Sequence, residues 1–147
     1  MRIRIIVAGK PALAYAKAGV DEYLKRLSRF GNHELVTVKA GGSDDVSARL
    51  LERSAGCFRI ALDERGESPT SRGFAAMLDS LAARGDVKRL AFLIGAADGH
   101  NEALRAAVDR SLALSSFTMQ HELALLVLLE QLYRSASLRG GAPYHRD

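Results

Sequence analysis

The sequence predicts an α/β fold, a mostly parallel sheet with helices on both faces, in one domain spanning residues 1–147. Three observations predict it. Short β-branched runs alternate with stretches whose apolar residues recur every three or four positions. Glycines stand at the junctions between them. Arg89–Ile94 (RLAFLI) is almost wholly apolar, as a central strand covered on both faces has to be. A parallel pair needs a crossover, and a helix is the usual one, so this alternation implies a parallel sheet.

Arg2–Ala8 (RIRIIVA) is β-branched and ends at Gly9, which predicts the first strand. From Leu13 onward, Ala16, Val20, Tyr23, Leu24 and Leu27 follow the spacing of one helix face, and the helix stops near Gly31. His33–Ala40 (HELVTVKA) alternates as a second strand with Leu35, Val36 and Val38 buried, and Gly41-Gly42 breaks it. Ser43 is placed to cap the next helix. Phe58–Asp63 (FRIALD) is the third strand, and the polar run Glu64–Pro69 is expected to carry the chain off the sheet. Thr70 or Ser71 opens a helix with the stripe Phe74, Met77, Leu78 and Leu81, stopped by Gly85. After the strand Arg89–Ile94, a short helix over Glu102–Asp109 leads to Leu112–Met119 (LALSSFTM), read as a last strand with a loop, and a long helix runs through Leu138.

With 147 residues, 48% hydrophobic and 26% charged, the chain fits one core of ordinary size. The most apolar stretch, Leu123–Leu129, lies between Glu122 and Glu130, so no membrane span is expected; the N-terminus lacks the apolar segment of a secretory signal. The single cysteine, Cys57, cannot form an internal disulfide, which favours a cytoplasmic setting. The net charge of +4 suits a polyanionic partner without requiring one.

In sheets of this kind the ligand sits beyond the carboxyl ends of the strands, so the loops after Asp63, Ile94 and Phe117 are where a cofactor is expected. Gly95-Ala96-Ala97-Asp98-Gly99 follows a buried strand, and its side-chain-poor backbone permits close approach; from the loop alone an ordinary turn is the preferred reading. Neither a dinucleotide fingerprint nor a phosphate-binding P-loop occurs, and no Gly-x-Ser-x-Gly elbow surrounds Ser115 or Ser116. The four histidines have no metal-ligand spacing, so no metal is expected. His121, Glu130, Tyr133, Arg134, Tyr144, His145 and Arg146 crowd the last quarter of the chain. Glu130 and Arg134 alone read as a surface ion pair; the tail Pro143–Asp147 collects more chemistry than a fraying terminus needs.

These pieces stand in a specific order. Leu93-Ile94-Gly95-x-x-x-Gly99, Leu112-x-Leu114-Ser115-x-x-Thr118, His121 followed by Glu130-Gln131-Leu132-Tyr133-Arg134, and Pro143-Tyr144-His145-Arg146 together resemble the large-subunit rRNA pseudouridine N3-methyltransferase (RlmH) family. Gly9-Lys10, Glu22-Tyr23-Leu24-Lys25-Arg26 and Leu62-Asp63-x-x-Gly66 extend the likeness over nearly the whole chain. The resemblance implies the SPOUT superfamily: a C-terminal trefoil knot, S-adenosylmethionine as methyl donor, a homodimer, and 23S rRNA of the ribosome as substrate. It places cofactor contacts at Leu62, Gly95, Ala96, Gly99, Ser115, Ser116, Phe117, Thr118, Met119 and Gln120. It places the chemistry at Arg134, Glu130, Tyr144, His145 and His121. The chain departs from the family in two places. Members carry a second glycine at Ala96, whose methyl is expected to crowd the cofactor, and an arginine at Leu125, whose loss is expected to remove a cation from the RNA or dimer face. Those departures support an alternative, a dimeric module that binds S-adenosylmethionine or RNA with lost or altered catalysis.

Overall fold

The computed structural model describes residues 1–141 and 144. Strands β1 (Arg2–Ala8), β2 (His33–Val38), β3 (Phe58–Glu67), β4 (Arg89–Ile94) and β5 (Arg110–Leu112) alternate with helices α1 (Ala14–Leu27), α2 (Ser43–Arg53), α3 (Ser71–Ala83), α4 (Glu102–Ala107) and α5 (His121–Arg139). The strands form one parallel sheet in the order β2-β1-β4-β3-β5. Side chains of a strand alternate between faces, and here both faces are covered. Ile3, Ile5 and Val7 of β1 and Leu90, Phe92 and Ile94 of β4 pack against α1, α3 and α5 through Val20, Leu27, Phe74, Leu78, Leu125, Leu128 and Leu132. Ile6, Ala8, Ala91 and Leu93 pack on the other face against Val46 and Leu50 of α2 and Leu104 of α4.

The structure corrects five local expectations. β2 ends at Val38, and only Val38 of its three apolar members is buried, because β2 lies at the sheet edge and Leu35 and Val36 are covered from one side. Gly42, not Ser43, occupies the cap of α2; the Ser43 hydroxyl donates to the carbonyl of Gly99 instead, at 2.7 Å. β3 does not leave the sheet at Glu64: it runs to Glu67, through an irregularity in which Leu62 and Glu67 both pair with Leu112. β5 is correspondingly short, and residues 113–120 form a loop rather than strand. The Ser115 hydroxyl accepts from the Phe117 amide at 2.9 Å, a local turn that competes with the ladder. α4 stops at Ala107, and the Asp109 carboxylate accepts from the Arg59 amide of β3 at 2.8 Å.

Candidate active site

The irregularity within β3 and the turns that follow β4 and β5 border an open cavity of about 420 Å³. That lies within the range of small-molecule sites, roughly 300–1,000 Å³. The first turn is made by the irregularity in β3, which lifts Leu62, Asp63 and Glu64 into the cavity wall. Gly66 makes it possible: a Cβ there would lie 2.5 Å from the Ser111 carbonyl carbon of β5, so the two backbones meet only if residue 66 has no side chain. Asp63 is paired with Arg105 of α4 at 3.0 Å. Burial alone would raise its carboxyl, but the Arg65 amide and the Arg105 guanidinium outweigh burial and hold it below the usual range.

The second turn, Gly95–Gly99, is tied to the start of α2 rather than left free. Asp98 accepts from the Ser43 amide at 3.0 Å, and the Asn101 amide donates to the Ser47 hydroxyl at 3.1 Å. His100, 6% exposed, fills the space beneath this turn and lines the cavity. Its Nε2–H donates to the Leu62 carbonyl at 3.0 Å, and a Cβ on Gly95 would come within 3.0 Å of its Nδ1. Burial pushes the imidazole below its ordinary value, so the ring is neutral, and its Nδ1 has no hydrogen-bond partner among the described residues.

The third turn follows β5. Ser115, Phe117, Thr118, Met119 and Gln120 line the cavity, and Thr118 closes onto the first turn by donating to Glu64 at 2.9 Å. Gln120 caps α5, accepting from the amides of Glu122 and Leu123, and so aims His121 at the cavity wall. The buried Glu122 carboxylate accepts from the amides of Ala12 and Leu13, which fastens the loop after β1 to the same helix end.

The structure thus brings Leu62, Gly95, Ala96, Gly99, Ser115, Phe117, Thr118, Met119, Gln120 and His121 around one cavity; Ser116 does not line it. Glu130, Arg134 and Tyr144 are elsewhere. Arg134 stands about 20 Å from His121 along α5, at roughly 1.5 Å per residue. Glu130 receives two hydrogen bonds from the Arg134 guanidinium, at 3.1 and 3.0 Å, and that guanidinium lies 5.2 Å from the Tyr144 ring centroid. Donating to the Glu130 carboxylate raises the Arg134 guanidinium above its ordinary value, and its charge is permanent. Pro143, His145, Arg146 and Asp147 lie outside the described residues.

Of the two departures, Leu125 is fully buried in the core, so the position faces inward in this chain and no surface cation is lost there. Ala96 packs against the cluster between the sheet and α2 and also lines the cavity. Sequence reasoning missed His100, Glu64 and Arg105 as cavity residues. The one available signal was a histidine directly after Gly99, and a lone histidine is too common to single out. Among the described residues no three His, Cys, Asp or Glu side chains cluster as metal ligands, and no helix is long and apolar enough to cross a membrane.

Residues 1–145 match the family model described as "Predicted SPOUT methyltransferase". The protein from Thermus thermophilus named "Ribosomal RNA large subunit methyltransferase H" is 47% identical over 146 residues, covering 99% of each chain. Its namesake from Deinococcus radiodurans is 40% identical over 146 residues with the same coverage. A solved tRNA methyltransferase from Aquifex aeolicus shares the fold, with a TM-score of 0.53 at 15% identity over 91% of this chain and 70% of that one. The chain therefore belongs to the SPOUT methyltransferase family, within the group of the ribosomal RNA large subunit methyltransferases H.

Proposed function

We propose that this protein transfers the methyl group of S-adenosylmethionine to N3 of a pseudouridine in the 23S rRNA of the large ribosomal subunit, and does so as a cytoplasmic homodimer. The observation that carries the reading is the strand-end cavity, built by three turns in a chain 47% identical over its length to a protein of that name. The residues present fit the cofactor. Gly95, Ala96 and Gly99 put side-chain-poor backbone at the wall, and Glu64 puts a carboxylate there beside a ligand that carries positive charge, while Asp63 is paired with Arg105. The bound sulfonium supplies a methyl group on an excellent leaving group, so the protein's work is alignment and help with the acceptor proton.

Arg134 supplies the cation that favours the ionised imide of the base, and Glu130 fixes its guanidinium through both hydrogen bonds. Tyr144 positions the nucleotide, and His121 in the wall or His145 in the tail takes the proton. Within one chain this cluster stands too far along α5 to reach the cavity, so the second subunit completes each site. The exposed apolar side chains Leu13, Tyr15, Phe117 and Leu123, at the starts of α1 and α5 beside the cavity, support such a dimer face. The C-terminal trefoil knot belongs to the same reading, supported by α5 packing on both α1 and α3 after the chain has crossed the cavity through residues 113–120.

The test is Arg134→Ala. Methylation of ribosomes falls by about 100-fold or more, while calorimetric affinity for S-adenosylmethionine changes by less than about threefold. Equal losses of both would refute the assignment.

A further inference from the structure

We infer that Tyr23 and Arg26 of α1 form the seat of Tyr144 and act as positioning residues for the acceptor side of methyl transfer. The inference rests on the function proposed above and adds residues to it. Tyr23 and Arg26 stand three apart on one face of α1, the face that packs on α5. The hydroxyls of Tyr23 and Tyr144 share a hydrogen bond of 2.8 Å across 121 positions of sequence. The Tyr144 ring meets Tyr133 of α5 edge-on, with centroids 4.7 Å apart and planes at 80°. The Arg26 guanidinium lies 5.2, 5.6 and 6.0 Å from the ring centroids of Tyr23, Tyr133 and Tyr144. Arg134 approaches Tyr144 as well, at 5.2 Å, so the tail tyrosine is held among two aromatic rings and two guanidinium groups.

α5 ends at Arg139, so Tyr144 stands outside the helix and its contacts are with side chains of α1 and α5. Glu22, one turn before Arg26, accepts from its Nε at 3.0 Å and fixes the plane of the guanidinium. Burial and the Tyr23 hydroxyl push the Tyr144 phenol above its ordinary value, so it stays protonated beside two cations. Neither Tyr23 nor Arg26 lines the cavity; both meet the acceptor-side residues through Tyr144, which also contacts Arg134. The segment Glu22–Arg26, whose chemistry the cofactor site leaves unused, thereby acquires a role.

The experiment compares full-length protein with Tyr23→Phe, Arg26→Gln and Arg26→Lys. Hydrogen exchange of residues 140–147 and absorbance titration of the tyrosines read the seat; ribosome methylation and calorimetry with S-adenosylmethionine read its consequence. The expected result is faster exchange in the tail and one phenol titrating nearer its ordinary value. With it, kcat falls about ten- to a hundredfold, as misplacement of a reacting group by about an ångström does. Cofactor affinity stays within about twofold, and Arg26→Lys, which keeps charge but not the planar stack, recovers only part of the rate. Unchanged tail exchange in Tyr23→Phe and Arg26→Gln would remove the seat, and a freed tail with unchanged kcat would remove its positioning role. If the unaltered protein fails to methylate ribosomes, the proposed function falls, and exchange and titration still decide whether the seat exists.

Discussion

A methyl group on Gly66 would sit 2.5 Å from the carbonyl carbon of Ser111 and 2.6 Å from the Leu112 amide nitrogen, both backbone atoms that cannot rotate away. Gly66→Ala therefore has to push β5 off β3. We expect a loss of about 1–3 kcal/mol in denaturant unfolding, together with weaker cofactor binding, because the displaced strand leads into the third turn; an unchanged midpoint would contradict the close approach. At this scale the sequence was partly legible. Gly66 and Gly95 belong to the ordered set of motifs, yet the reasons they are glycine, the β5 backbone in one case and the His100 ring in the other, are contacts across 45 and five positions that no local pattern encodes. His100 itself was illegible for the same cause, since what makes it a wall residue is the Leu62 carbonyl on another strand. Leu125 shows the converse: its chemistry was visible, but its full burial followed only from how α5 sits on the sheet.

Among the elements, those with a strong period were read correctly. β1, α1 and β4 are set by hydrophobic alternation or helical spacing along their own length, and their observed bounds follow that pattern. β3 and β5 were misjudged together, for one physical reason. Whether Asp63–Glu67 stays in the sheet depends on its partner, and the partner is only three residues long. Polar composition says loop; pairing with Leu112 and the hydrogen bond from the Ala113 amide to the Glu67 carbonyl, at 2.8 Å, says strand. The tie between α2 and the Gly95–Gly99 turn belongs to this scale as well. Ser43 was expected to cap a helix and instead anchors the turn, so Ser43→Ala should leave α2 intact by circular dichroism while costing about 1 kcal/mol of stability. It should also weaken S-adenosylmethionine binding several-fold by calorimetry, whereas loss of helix signal would return Ser43 to a capping role.

For the whole molecule, one chain carries a strand-end cavity and, about 20 Å from His121 along α5, the Glu130–Arg134 pair, which the proposed function reads as two halves of a shared site. The pH response should report the fold rather than the chemistry. Burial, with Arg139 nearby, lowers His33 from 6.5 to about 4, and its Nδ1 has no partner among the described residues. The folded state therefore resists protonation that the unfolded chain accepts below 6.5, so stability is full above that pH and declines as pH falls toward 4. His100, lowered in the same direction, adds to the slope. Partial solvent access limits the His33 share to the order of 1–2 kcal/mol, and His33→Gln should flatten that part of the unfolding curve between pH 6.5 and 4; an unaltered slope would mean that the ring is solvated. The central claim is the reaction itself, and its most direct measurement is mass mapping of 23S rRNA after ribosomes from a strain lacking this gene are incubated with the purified protein and labelled S-adenosylmethionine. The account predicts one added methyl group, on N3 of a pseudouridine in that RNA; a protein that binds the cofactor yet leaves the RNA unlabelled, or that labels a different RNA, would contradict it.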